Sequence, residues 1–285
     1  MTHRPALPHD AATWQEWVQR FADLLRAQPD PAVARSSMPT GGHALVVAPH
    51  PDDECIVGAL PLRLRQEAGW RVTVLAATLG SRAERRAERW AEMGAACTAL
   101  GFALERLGEQ GLERVRAESA ISEPALWEAQ CAAMVAALRA ARPDLVLLPH
   151  AADANPTHVG VHHLVRAALA QAGYSGLIAE TEFWAPQAAP NCMVQTSVAD
   201  TALLVQALAC HVGEVARNPY HLRLPAWMAD NVRRGGELLG GAGGTPPAWA
   251  FATLYRLSRW VEGQPLPQDL PALFCPADRA IELPG

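Results

Sequence analysis

Two short stretches carry the residue types from which a hydrolytic metal centre is built. The first is His50-Pro51-Asp52-Asp53-Glu54, which follows the apolar run 43–48 after a single proline. A histidine with adjacent carboxylates supplies mixed nitrogen and oxygen ligands and leaves one carboxylate free as a base. The same residues also suit a His-Pro turn leading into a helix with an acidic first turn. The second stretch spans 150–163 and contains His150, Asp153, Asn155, His158, His162 and His163. It follows another apolar run, 144–148. Asn155-Pro156-Thr157 reads as a helix entry, which puts His158 in the first turn, facing the first stretch as a third ligand. His158 and His162, at i and i+4, alternatively bind a metal together on one helical face, and His162 and His163 equally suit capping or the surface.

Both stretches need strands to hold them. Runs 43–48, 71–77, 104–107, 144–148 and 177–184 read as short buried strands, and 194–196 as an edge strand. Residues 58–69, 82–100, 124–142, 158–172 and 198–211 read as helices. Strands of four to six apolar residues alternating with longer helices predict an α/β fold. The expected architecture is a Rossmann-like, mostly parallel sheet with helices on both faces and an elaborated C-terminal part. In such a sheet both stretches fall at the carboxyl ends of strands, where ligands bind. Residues 108–121 read as a mobile loop, and Gly235-Gly236 and the 240–244 run as loops. Trp14, Trp17, Val18, Phe21, Leu24 and Leu25 recur at helical spacing, stopped by Pro29 and Pro31. They form an amphipathic helix for docking on the chain's own domain or on a partner subunit, which leaves a homo-oligomer open. The expected organisation is an N-terminal extension, 1–40, with a linker reaching Gly42, and one domain, 41–285.

Composition narrows the chemistry. The 285 residues are 50% hydrophobic and 19% charged, as in ordinary globular proteins. All 24 basic residues are arginine, so Schiff-base and phosphate-loop lysines are excluded. Net charge is −5, and no basic run suggests nucleic acid as a partner. Arg85, Arg86 and Arg89 alternate with Glu84, Glu88 and Glu92, which reads as a solvated helix face. The six cysteines lack a CxxC pair and read as reduced, buried thiols. With no hydrophobic leader and no apolar run long enough to span a bilayer, a cytoplasmic enzyme without membrane partners is expected.

Pro49 to Glu54 match the (A/P)HPDDE signature of the PIG-L/LmbE family of zinc-dependent N-deacetylases. The likeness continues in order through Thr78-x-Gly80, Arg89-x-x-Glu92, Arg142-Pro143-Asp144 and Asn155 to His162. It ends in 201–211, similar to a family helix that closes on a histidine. It covers roughly 43–215. This resemblance implies Zn2+ as cofactor, with His50, Asp53 and His158 as ligands and Asp52 as general base. It implies hydrolysis of an N-acyl group, most often acetyl, from an amino sugar or similar small metabolite, by a zinc-bound water.

The chain departs from the family at Asn155, which stands where a histidine is common, with Thr157 in place of the following Asp. Asn155 donates a hydrogen bond but carries no proton at neutral pH. Either His150, His162 or His211 supplies the acid, or Asp52 moves the proton in both directions, or the reaction is not amide hydrolysis. Arg82, Glu54 and His162 are the candidate substrate contacts, Glu54 being a helix-start residue rather than a ligand. Trp184 suits a sugar ring or the core. Two alternatives stand beside the deacetylase: a zinc-dependent hydratase or lyase on the same fold, and a non-catalytic Rossmann-like nucleotide-binding module. The second lacks a G-x-G-x-x-G after the first strand.

Overall fold

A computed structural model describes residues 10–24, 41–278, 281, 283 and 284. Helix α1 (Ala11–Leu24) comes first, and its Trp14, Val18 and Ala22 are buried. Strand β1 (His43–Ala48) is buried along its whole length, as a parallel strand covered on both faces must be. It is followed by α2 (Asp53–Ile56), α3 (Ala59–Ala68), β2 (Arg71–Ala76), α4 (Arg86–Leu100) and β3 (Ala103–Arg106). Then come α5 (Ser119–Ser122), α6 (Pro124–Ala141), β4 (Leu145–Pro149), α7 (Pro156–Ala172) and β5 (Gly176–Thr181). The C-terminal part adds β6 (Cys192–Thr196), α8 (Val198–Ala209), α9 (Val212–Arg217) and α10 (Leu224–Gly240). It ends with β7 (Phe251–Val261), β8 (Gln264–Pro265) and β9 (Leu273–Cys275).

The sheet runs β3-β2-β1-β4-β5-β7-β6-β9, with β8 paired to β7. From β3 to β5 all pairs are parallel. The fold is therefore the mostly parallel α/β sheet expected from the alternation. The chain winds outward from β1 through β2 to β3, then returns to start again at β4. Ala44 pairs with Leu145 and Val46 with Leu147, so the carboxyl ends of β1 and β4 lie side by side. That is the switch point where an open sheet leaves a crevice, and both chemistry-bearing stretches leave the sheet there.

Several expected elements differ. The strand read as 177–184 stops at Thr181, which frees Phe183 and Trp184 for a loop. Strand β6 is no edge strand: β7 and β9 flank it. The eleven-residue β7 enters antiparallel between β5 and β6 and was not legible as a strand. Gly235 and Gly236 lie inside α10, not in a loop. A Cβ at Gly235 would sit 2.9 Å from Leu254 Cδ2, and one at Gly236 would sit 2.6 Å from the Pro246 Cα. Gly235 serves close packing of the helix on β6 and β7, and Gly236 close packing on the segment before β7; neither serves a turn. The segment read as mobile is anchored: Leu112 N donates to Ala77 O at 2.7 Å, Val115 is buried, and α5 interrupts it.

Helix α1 packs on the chain itself. The Trp14 ring meets His221 edge-on at 5.7 Å, and Phe21 lies 6.0 Å from Phe251. Leu25, Pro29, Pro31 and the linker up to residue 40 lie outside the described residues. Five of the six free cysteines are buried. Among the described residues, no helix is long and apolar enough to cross a membrane.

Candidate active site

The turn after β1 brings four functional groups together through local geometry. Asp53 N bonds back to His50 O at 3.3 Å, and His50 N donates to Asp53 Oδ2 at 2.8 Å. This closes a tight turn in which the two side chains must converge. Asp52 sits between them at φ 109, a left-handed conformation costly for a residue with a side chain. Its backbone N–H is held there by Glu54 Oε2 at 2.9 Å.

His158 arrives from the other strand. Asn155 caps α7 by accepting from Thr157 N at 2.9 Å, and Pro156 opens the helix. His158 thus sits in the first turn, wholly buried. Its Nε2 lies 3.2 Å from both His50 Nδ1 and Asp53 Oδ2, and Asp53 Oδ2 lies 3.6 Å from His50 Nδ1. Donors bound tetrahedrally to zinc at about 2.0–2.1 Å stand roughly 3.3 Å from one another. The triangle therefore fits a zinc ion. A second sign is Asp53 Oδ1, which is buried with no hydrogen-bond partner. Behind the triangle, Asp153 Oδ1 lies 3.6 Å from His158 Nδ1 and also accepts from Asn155 N at 2.8 Å. His158 Nδ1 itself is buried without a hydrogen-bond partner, with the Asp153 charge facing it; a carboxylate there would orient the imidazole if His158 held a metal.

The charges follow from this packing. Burial alone would raise Asp53, but His158 and His50 outweigh it and hold the carboxyl below its usual range. Burial, reinforced by the Asp53 charge, raises Asp52 to about 7, against the lowering pull of His211 and Arg89. Tyr220 donates its hydroxyl to Asp52 Oδ2, and Arg89 Nη2 stands 3.7 Å from the same oxygen.

These groups open into a cleft of about 770 Å³, lined by His50, Asp52, Asp53 and Asn155 among others. Arg82 stands on its wall, exposed. Trp184 also lines it, 41% exposed, edge-on to Tyr220 and Trp227. Two expected contacts do not reach the cleft. Glu54 is 0% exposed, with Oε1 2.6 Å from His211 Nε2, and serves the Asp52 backbone instead. His162 is buried with its ring bonded to Pro149 O at 2.9 Å, and Glu180 lies 3.5 Å away. Nor do His150 and His211 line the cleft; His150 bonds Ala185 O at 2.9 Å. The three histidines considered as acids are all turned elsewhere.

Arg85, Arg86 and Arg89 are a further correction. They line the cleft and do not form a solvated helix face. Arg89 Nη2 donates to Pro51 O at 2.8 Å, and Arg85 Nη1 to Glu214 Oε1 at 2.8 Å. Tyr220 and Glu214 had no signal in their own neighbourhoods, since what marks them is proximity to Asp52 and Arg85 in the fold. Asp153 was in view within the second stretch, but its role needed the turn geometry.

Residues 45–169 match the family model PIG-L, GlcNAc-PI de-N-acetylase. Over 168 residues the chain is 29% identical to 1D-myo-inositol 2-acetamido-2-deoxy-alpha-D-glucopyranoside deacetylase of Rhodococcus erythropolis; the match takes in 49% of this chain and 57% of that protein. The chain thus spans little more than half the length of that relative. The fold is also that of N,N'-diacetylchitobiose deacetylase from Pyrococcus horikoshii, with TM-score 0.55, 17% identity, and 78% and 84% of the two chains covered. It is equally that of 4-carboxy-2-hydroxymuconate hydratase from Pseudomonas putida, with TM-score 0.54, 19% identity, and 76% and 95% covered. One fold hosts both reactions, so the fold by itself does not choose between them. The stretch that matches the PIG-L model holds His50, Asp53 and His158, in line with the resemblance carried by the HPDDE turn.

Proposed function

We propose that the chain is a zinc-dependent deacetylase that removes an N-acetyl group from an amino sugar or a similar small N-acylated metabolite. The observation that carries this reading is the His50–Asp53–His158 triangle, whose His50 and Asp53 line the cleft together with Asp52. His50, Asp53 and His158 would hold the metal. When bound, zinc supplies Lewis-acid polarisation of the amide carbonyl and makes nearby water easier to deprotonate.

Asp52 is the group placed to accept the proton of the attacking water and return it to the departing amine. A positioned base of this kind contributes about 10² to 10⁴ in rate. The Tyr220 hydroxyl and the Arg89 guanidinium fix its orientation and steady its charge. Asn155 accepts from Thr157 N through Oδ1, which leaves its amide N–H groups to donate to the oxygen that gains charge. Asn155 therefore stabilises without carrying a proton, and Asp52 serves in both directions. The family match and the deacetylase relative support this reading.

A second reading, addition of water to an activated double bond, is favoured by the same Asn155, since that reaction has no amine to protonate. One assay separates the two. Zinc-loaded protein is given a panel of N-acetylated amino sugars, and free amine and acetate are measured together. Equal release of both is expected. Failure of every N-acylated compound, with hydration of an enol or enoate acid, would overturn the deacetylase.

A further inference from the structure

We infer that the cleft is built for a substrate carrying an anionic group, a phosphate monoester or a carboxylate, gripped by Arg82 and Arg116; this rests on the deacetylase reading for the other end of the substrate. The chain as a whole is acidic, with net charge −5. Its cleft has the opposite sign: seven arginines line it against four carboxylates.

Five of those arginines are engaged within the protein. Arg89 holds the Pro51 carbonyl beside Asp52, and Arg85 and Arg217 both hold Glu214. Arg86 pairs with Glu113 at 2.5 Å, and Arg114 pairs with Glu123. Arg82 and Arg116 have no acidic partner among the described residues, and both are exposed on the cleft wall.

Their backbones are nevertheless tied to the HPDDE turn and to helix α7, which carry the metal-ligand candidates. Arg82 follows the Thr78–Gly80 turn, where Thr78 Oγ1 donates to Pro49 O at 2.7 Å, next to His50. Arg116 rests on α7: a Cβ at Gly160 would come within 2.6 Å of the Arg116 N and Cα. Only glycine permits that approach, two residues along the helix from His158. Arg82 and Arg116 thus face one cleft without a counter-charge of their own, and a planar or tetrahedral oxyanion supplies it by accepting from their N–H donors. Like-signed walls also concentrate such ligands by focusing the field.

Calorimetric titration of the zinc-loaded full chain with glucosamine, glucosamine phosphate and muramic acid tests this without turnover. The two anionic arms tell phosphate from carboxylate. The expected result is that at least one binds about tenfold more tightly than glucosamine, a preference worth about 1.4 kcal/mol. In the Arg82→Gln/Arg116→Gln double variant the preference should fall towards parity. In the unaltered protein it should shrink as salt rises. Parity in the unaltered protein, or a preference that survives the double variant, would overturn the inference. Absence of acetate release with the anion preference intact would instead remove only the deacetylase reading.

Discussion

The hydroxyl of Tyr220 donates to Oδ2 of Asp52, joining two residues 168 positions apart in the chain. The contact ties the C-terminal part of the chain to the HPDDE turn. Removing either partner has different consequences. Asp52→Asn should keep zinc and lower kcat by about 10²-fold or more, the usual contribution of a positioned base. Tyr220→Phe leaves the carboxylate present but less firmly held, so a smaller loss in kcat with little change in zinc content is expected. Steady-state kinetics with metal analysis of the same samples checks both. Full activity in Asp52→Asn would remove the base assignment.

His158→Ala takes one corner from the triangle while leaving the HPDDE turn in place. Loss of zinc after dialysis is expected, with the fold retained by circular dichroism. Asp153→Asn, one step further back, should weaken zinc binding by about 10- to 100-fold, as for other groups that orient a metal-ligating histidine. Metal competition with a chromophoric chelator measures both.

His162 makes stability depend on pH. Burial is the largest influence and lowers it to about 4 from 6.5, while Pro149 O opposes and Arg166, His163 and His150 add to the lowering. Glu180 stands 3.5 Å from the ring. Because the folded value lies below the unfolded one, the unfolded chain takes up the proton first as pH falls. The contribution is therefore complete above about 6.5 and lost progressively down to about 4, by at most about 3 kcal/mol. Urea unfolding of the protein and of His162→Gln across this range is the check. The stability gap between them should narrow as pH falls, and a constant gap would contradict the assignment.

Arg63 is a structural counterpart to the cleft arginines. It is fully buried on α3 and grips Glu67 through Nε and Nη2 at 2.7 and 3.0 Å. The same guanidinium donates to the carbonyls of Cys275 and Pro276, fastening the C-terminal segment. Arg63→Met leaves Glu67 buried without its cation, and a loss of about 3–5 kcal/mol is expected from thermal or urea unfolding.

How much of this was readable in the sequence depended on how local each signal was. The turn 50–54 and the α7 entry are short motifs abutting apolar runs, and the family resemblance they carry implies His50, Asp53 and His158 as ligands, whereas spacing alone leaves His158 with His162 as an alternative pair. The parallel half of the sheet was legible because strands buried on both faces are continuous apolar runs. Strand β7 was not, because the half-buried Arg256, Ser258 and Arg259 interrupt its apolar residues on both faces. Helix α10 was hidden by Gly235 and Gly236, whose use in close packing cannot be told from a turn by composition. The cleft face of α4 was misread because interleaved acids are also what a solvated helix shows. Glu92, one of those acids, is in fact buried, accepting from Gly213 N at 2.8 Å.

The most direct measurement is acetate release from an N-acetylated amino sugar by protein stripped with a chelator and then titrated with zinc. The expected result is no turnover in the stripped protein and activity restored in proportion to zinc, saturating at about one ion per chain, as a three-ligand catalytic site requires. Undiminished acetate release from protein containing no metal would contradict the account.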